Sequence, residues 1–132
     1  MQSTLNTEIS VIDKNSTKEK IPFSVHLTAD FYSPKFIEEK KQVRDILYEA
    51  ARHANNTPLR SVIHKFPVQG ITGVILLAES HIALHTWPEH DYMAVDIFTC
   101  GKKTRPVRAL EYLKEVFCPK KVTIRHIRRG IL

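Results

Sequence analysis

Four short segments in the middle of the chain have the apolar character of β-strands, and only a few residues separate each from the next. Connections this short join antiparallel neighbours, because a parallel crossover needs a dozen or more residues. The spacing therefore predicts an antiparallel sheet at the centre of the fold. The four predicted strands are Ser61–Phe66, Gly73–Ala78, His81–Trp87 and Met93–Thr99, and Gly70, Gly73, Pro88 and Gly101 mark the breaks around them.

One further strand and one helix are predicted on each side of this centre. Phe23–Phe31 alternates between apolar and polar residues, as a half-buried strand does, and Val122–Ile127 forms the last strand. Apolar residues recur at helical spacing over residues 33–54, which open on a serine-proline pair, and again over residues 104–117. The order β-α-β-β-β-β-α-β predicts the α+β class, as a two-layer α/β sandwich with both helices on one face of a mainly antiparallel sheet.

The remaining sequence features predict the domain organisation of the chain and the cellular compartment of the protein. Residues 1–21 are polar with few large apolar groups, so a flexible N-terminal arm is predicted there, followed by a single domain over residues 22–132. The longest apolar run, Ile71–Ala78, is too short to cross a membrane. The N-terminus lacks a secretory signal pattern, so we expect a cytoplasmic protein with free thiols at Cys100 and Cys118 and no membrane partner.

The formal net charge is +6, and basic residues cluster near the C-terminal end. Such a cluster is one signal of nucleic-acid binding. No recognition-helix pattern, aromatic RNA-binding motif or zinc-ligand spacing accompanies it, so a solvated surface is the favoured interpretation and no nucleic-acid partner is predicted. The cluster consists of Lys120, Lys121, Arg125, Arg128 and Arg129.

Polar side chains interrupt the apolar strands at three positions: Ser80, His81 and His85. A buried polar group is costly unless it is paired, so these residues indicate either a hydrogen-bonded core network or a reaction site. A serine hydrolase is one reading, but the Gly-x-Ser-x-Gly turn is missing around Ser80. A metal site built from His81, His85 and Glu89 is another, yet on a strand these side chains span too far to close on one ion without a bend, and no metal is predicted.

A third reading rests on several short blocks in a fixed order. The blocks are Phe66-Pro67-x-Gln69-Gly70-x-Thr72-Gly73, Glu79-Ser80-His81, His85-Thr86-Trp87-Pro88-Glu89, Asp96-x-Phe98-Thr99-Cys100-Gly101 and the closing Arg129-Gly130. Together they resemble the short prokaryotic class of the S-adenosylmethionine decarboxylase family. The resemblance covers roughly residues 23–130, which is most of the chain.

This resemblance implies a proenzyme that cuts its own backbone between Glu79 and Ser80. The Ser80 hydroxyl would attack the Glu79 carbonyl, and β-elimination followed by hydrolysis would leave a pyruvoyl group, which is the covalent, self-generated cofactor. The resemblance gives His85 the proton transfer in this processing, a task that suits an imidazole near neutral pH. It gives Thr72 a supporting hydrogen bond in the same step.

The resemblance also implies the reaction that follows processing. The pyruvoyl group would form a Schiff base with S-adenosylmethionine, and Cys100 would act as the general acid after carbon dioxide leaves. Phe66 would stack on the adenine, Glu89 would bond the ribose hydroxyls and Trp87 would wall the pocket. The product would be decarboxylated S-adenosylmethionine, the aminopropyl donor for spermidine synthesis. The site would lie between the two subunits of a homodimer.

Two alternatives remain open from the sequence. The same pyruvoyl machinery on this scaffold would serve an arginine or ornithine decarboxylase, although the Phe66, Trp87 and Glu89 set favours the nucleoside substrate. An uncleaved homologue that keeps the fold and acts as a regulatory partner is the second alternative.

Overall fold

The computed structural model describes residues 6–11 and 24–130, and these form one seven-stranded sheet with two helices. The strands follow the order β1-β7-β2-β6-β5-β4-β3 across the sheet, and every neighbouring pair is antiparallel except β1 with β7. The strands are β1 Asn6–Val11, β2 Ser24–Tyr32, β3 Pro58–Lys65, β4 Ile71–Leu77, β5 Ser80–Trp87, β6 Tyr92–Cys100 and β7 Lys121–Arg129, and the helices are α1 Lys40–His53 and α2 Pro106–Phe117.

Both helices pack on one face of the sheet, so the predicted α+β sandwich is confirmed. Alternating residues of β2, β4, β5, β6 and β7 join the apolar stripes of the helices in a single core, as the period-two and helical patterns require. Neither described helix is long and apolar enough to cross a membrane. The largest fully buried side chains include Phe31, Leu47, Ile82, Met93, Val95, Ile97, Leu113 and Phe117.

The opposite face of the sheet carries both polar and apolar side chains, such as His85 of β5 and Leu76 of β4. In β6 the buried residues Met93, Val95 and Ile97 face the helices, while the alternate residues are only half-buried. Within the described part of the chain no helix covers this second face, since both α1 and α2 belong to the one core on the first face. The half-buried residues of β6 are Tyr92, Ala94, Asp96, Phe98 and Cys100.

The predicted N-terminal arm is wrong for part of its length. Asn6–Val11 forms strand β1, which pairs in parallel with the first six residues of β7 and brings Glu8 within 3.9 Å of Lys121. The alternation of Thr7, Ile9 and Val11 with polar residues is too short a pattern to mark a strand by itself, and what the structure adds is the pairing of this segment with β7. The rest of the arm, and the predicted start of β2 at Phe23, lie outside the described residues.

The first helix begins at Lys40, six residues later than its serine-proline start predicts. Ser33 has a positive φ of 52°, and its N–H donates to the carbonyl of Asp91 at 2.8 Å. The Lys35 N–H donates to the carbonyl of Phe117. These tertiary contacts hold residues 34–39 out of helical geometry, so the local start signal is overridden and the segment crosses the end of the sheet as irregular chain.

Candidate active site

The turn between β4 and β5 carries the predicted cleavage bond. Ala78 and Glu79 form a two-residue turn that joins the paired residues Leu77 and Ser80. Ser80 has a φ of +153°, a backbone conformation that costs a residue with a β-carbon about 1–3 kcal/mol. The strain therefore sits on the residue whose peptide bond is predicted to break.

Two groups hold Glu79 from opposite sides. Cys100 Sγ lies 3.1 Å from the carbonyl oxygen of Glu79 and donates a hydrogen bond to it. The carboxylate of Glu79 accepts from the Thr57 N–H at 2.9 Å and from the Thr57 hydroxyl at 3.2 Å. The carbonyl that Ser80 would attack is thus fixed in place, with a proton donor already on its oxygen.

A buried hydrogen-bond network lies beside this turn. Thr99 is paired with Ser80 in the sheet and is fully buried, and its hydroxyl lies 2.8 Å from the Thr104 hydroxyl and donates to Asn56 Oδ1 at 3.3 Å. The Asn56 amide donates to Thr104 Oγ1 at 3.0 Å. These groups are hydrogen-bonded to one another, which holds the end of β6, and with it Cys100, in position.

A second cluster lies at the other end of β5. Thr72 Oγ1 is 3.1 Å from His85 Nδ1, across the pairing of β4 with β5. The two residues line a cavity of about 290 Å³ together with Phe66, Trp87 and Glu89. The aromatic side chains of Phe66 and Trp87 are 44% and 40% exposed, so both offer a ring face to a ligand. All five of these residues were predicted from the sequence as site residues.

Glu89 follows β5 in a short 3-10 turn, Pro88–His90. Its Oε2 accepts a hydrogen bond from the Gln69 amide at 2.9 Å, which orients the carboxylate at the rim of the cavity. The Trp87 ring stacks on Tyr92 with the ring centroids 5.6 Å apart. These contacts fix one wall of the cavity while leaving oxygen atoms of Glu89 available for a hydroxyl donor.

The two clusters do not meet within one chain. Ser80 and His85 lie five residues apart on the same strand, a separation of about 17 Å at the usual rise per residue. His85 is therefore too far from Glu79, Ser80 and Cys100 of the same chain to act as a base there. The structure assembles each half of the predicted site but not the whole.

A family model described as S-adenosylmethionine decarboxylase matches residues 25–130. The chain is 44% identical over 108 residues to the S-adenosylmethionine decarboxylase proenzyme of Persephonella marina, covering 80% of this chain and 81% of that one. The corresponding proenzyme of Pyrococcus abyssi is 42% identical over 98 residues, covering 74% and 70%.

The solved structure of the adenosylmethionine decarboxylase from Aquifex aeolicus has a TM-score of 0.78 to this chain at 37% identity, covering 84% of this chain and 93% of that one. The chain belongs to the S-adenosylmethionine decarboxylase family. The family predicted from the sequence blocks is therefore confirmed. Strand β1 lies outside the residues that the family model matches.

Sequence reasoning missed the residues that hold the two clusters in place. Thr57 was not singled out, although the Asn-Asn-Thr run that contains it offers side chains that can bond nearby backbone. Gln69, Gly70 and Thr86 also line the cavity, and all three fall inside the sequence blocks that identified the family. The blocks thus marked the region, but only the fold shows which side chains support the others.

Three further observations concern metal ligands, thiols and other cavities among the described residues. No group of three or more histidine, cysteine, aspartate or glutamate residues among them is placed to hold a metal ion. Cys100 and Cys118 are both free, as expected. A larger, shallower hollow of about 610 Å³ lies between α1 and β3, and none of the predicted site residues lines it.

Proposed function

We propose that the protein is a self-processing S-adenosylmethionine decarboxylase whose pyruvoyl group is made from Ser80. The observation that carries this proposal is the 3.1 Å hydrogen bond from Cys100 Sγ to the carbonyl oxygen of Glu79, beside a serine with a φ of +153°. Strain and a poised donor on the same peptide bond are what an internal attack on an unreactive amide requires. The residues around Ser80 therefore suit formation of the group.

In the processing reaction, Ser80 Oγ attacks the carbonyl carbon of Glu79 and the peptide nitrogen leaves, which converts the amide into an ester. The thiol of Cys100 stabilises the negative charge that develops on the Glu79 oxygen. A base then removes the α-proton of Ser80, and β-elimination releases Glu79 with a free carboxylate. Water converts the remaining dehydroalanine into the pyruvoyl group, and ammonia is released.

His85, supported by Thr72 at 3.1 Å, is the base in this scheme, and it comes from a partner copy of the chain. A two-fold dimer in which the helix-free faces of two sheets meet brings each cavity against the cleavage turn of the other subunit. That face exposes large apolar side chains: Val62 is 71% exposed and Leu76 is 51% exposed. A homodimer would remove these side chains from water and complete two sites at once.

In the decarboxylation, the chain's residues bind the substrate and return a proton. Phe66 and Trp87 flank the adenine, and Glu89, oriented by Gln69, accepts hydrogen bonds from the ribose hydroxyls. The pyruvoyl group supplies a carbonyl that accepts the substrate amine and draws electrons as carbon dioxide leaves. Cys100 would then donate its proton to the carbon that has lost the carboxylate, and hydrolysis by water would free the product, the aminopropyl donor used in spermidine synthesis.

The two aromatic walls and the ribose-binding carboxylate favour a nucleoside substrate over arginine or ornithine. Neither amino acid has a flat, uncharged ring for the faces of Phe66 and Trp87. An assay of carbon dioxide release from S-adenosylmethionine, arginine and ornithine tests this choice. We expect release from S-adenosylmethionine alone.

Intact-mass analysis of the freshly purified protein tests the proposal most directly. We expect two fragments, residues 1–79 and residues 80–132, with the second lighter by one ammonia than the same fragment starting in serine. The Ser80→Ala variant should remain one chain, whereas the matched variant Ser61→Ala, on β3, should cut normally. An active preparation with a continuous backbone at residues 79–80 would refute self-processing.

A further inference from the structure

The connection between β3 and β4 is a tight turn that carries part of the cavity wall. The Phe66 N–H donates to the carbonyl of Gly70 at 3.0 Å, which closes the turn. Gly70 has a φ of +98°, and a β-carbon there would lie 3.2 Å from the carbonyl oxygen of Thr86. Residues 66–69 are exposed, and the ring of Phe66 makes one ring contact, edge-to-face with His64 at 4.7 Å between centroids, so the backbone of the turn is important for holding Phe66 and Gln69 in position.

A carboxylate from a distant part of the chain holds this turn. Both oxygens of Glu38 accept a hydrogen bond from the buried Gly70 N–H, at 3.1 and 3.2 Å. A buried N–H needs a partner, and an ionised acceptor makes the stronger kind of hydrogen bond. Glu38 lies in the irregular segment 34–39 that precedes α1, so the departure of that segment from helical geometry is what brings the carboxylate to the turn.

The contacts continue from the turn to the substrate side of the cavity. Gly70 is bonded to Glu38, its neighbour Gln69 donates to Glu89 at 2.9 Å, and Phe66 closes the turn on the other side. Glu38 itself does not line the cavity. We propose that Glu38 is a positioning residue: through the Gly70 N–H it sets the ring of Phe66 and the carboxylate of Glu89 for a nucleoside.

The expectation that the cavity binds a nucleoside rests on the proposed function. Nucleoside binding can be measured separately from enzyme activity. Trp87 is the single tryptophan of the chain and it lines the cavity, so its fluorescence reports binding without any turnover. Adenosine carries the adenine and ribose that the cavity would recognise. We expect adenosine to change the emission of the wild-type protein in a saturable way.

Three variants separate positioning from a general loss of structure. Glu38→Ala should weaken adenosine binding about tenfold, the size expected when a hydrogen bond to a charged acceptor is lost, and should raise KM by a similar factor with little change in kcat. Glu38→Gln keeps an acceptor oxygen and should bind within about threefold of the wild type. The matched control is Glu39→Ala, whose exposed side chain makes no hydrogen bond at the start of α1 and should leave binding unchanged.

Hydrogen exchange of the free protein tests the turn without any ligand. Glu38→Ala should speed amide exchange in residues 66–71, while Glu38→Gln and Glu39→Ala should leave it near the wild-type rate. Wild-type exchange together with wild-type adenosine affinity in Glu38→Ala would overturn the inference. If the wild-type protein itself does not bind adenosine, the nucleoside site of the proposed function is wrong. In that case the exchange data still test whether Glu38 stabilises the turn. Unchanged amide exchange of residues 66–71 in Glu38→Ala would refute that role, and faster exchange would support it.

Discussion

Replacing Cys100 separates two tasks that one thiol is proposed to perform. Cys100→Ala removes the hydrogen bond, 3.1 Å long, to the Glu79 oxygen. A strong donor to a developing oxyanion contributes about 10²–10³ in rate, and a thiol is a weaker donor, so self-cleavage should slow by about tenfold, or ~1.4 kcal/mol. Cys100→Ser retains a donor and should cleave faster than Cys100→Ala.

The decarboxylation should respond differently to the same two variants. Once cleaved, Cys100→Ala has no proton to return to the substrate, and the hydroxyl of Cys100→Ser is a much poorer acid than a thiol. Both variants should therefore lose most of their carbon dioxide release. The cleavage rate is followed by intact mass after cell-free synthesis, and decarboxylation is measured on the fully cleaved fraction.

Cys118→Ala is the control for these measurements, because Cys118 is exposed at the end of α2 and its thiol donates to the nearby carbonyl of Glu115, away from the proposed site. It should cleave and decarboxylate at wild-type rates. Cleavage of Cys100→Ala at the wild-type rate would show that the thiol does not assist at the Glu79 carbonyl. Full turnover by the cleaved Cys100→Ala protein would remove Cys100 from the proton-return step.

Two further predictions concern stability. Thr99→Val keeps the shape of the side chain but removes the hydroxyl that donates to the buried Asn56 Oδ1 and contacts the Thr104 hydroxyl, so urea unfolding should show a loss of about 1–3 kcal/mol. The pKa of His26 is lowered below the ordinary 6.5, chiefly by burial, with Arg129 and His81 adding to the shift and Asp96 opposing it. As the pH falls below about 6.5, the unfolded chain therefore takes up the proton first and the folded state loses stability. His26→Gln should flatten the fall in melting temperature between pH 7 and pH 5.5, and an unchanged slope would contradict this assignment.

The parts of the fold that depend on local pattern were predictable. The period-two alternation in β2 and β6 and the helical stripe of α2 follow directly from which residues one face must bury. Strand β1 was not predicted, because an alternation of six residues within a mostly polar segment is a weak pattern and its partner in the sheet lies more than a hundred residues away in sequence. The start of α1 was missed for a related reason, since Ser33 is held by Asp91 from a distant strand end.

The candidate site was predictable in its residue types and not in its arrangement. The sequence blocks named Ser80, His85 and Cys100 as one set, but β5 runs straight between the first two and keeps them about 17 Å apart. Spacing along a chain does not show this separation, and only the family resemblance implied a site shared between two subunits. Nor does it reveal supports such as Thr57 and Glu38, whose contacts with the site exist only after folding.

The order of strands decides what happens to the pieces if the chain is cut at residues 79–80. The amino-terminal fragment contains β1, β2, β3 and β4, and the carboxy-terminal fragment contains β5, β6 and β7. Across the sheet the two fragments alternate, with β2 inserted between β7 and β6, and β7 inserted between β1 and β2. Neither fragment has a continuous sheet without the other, so the cut protein is an interleaved complex whose halves cannot part without global unfolding.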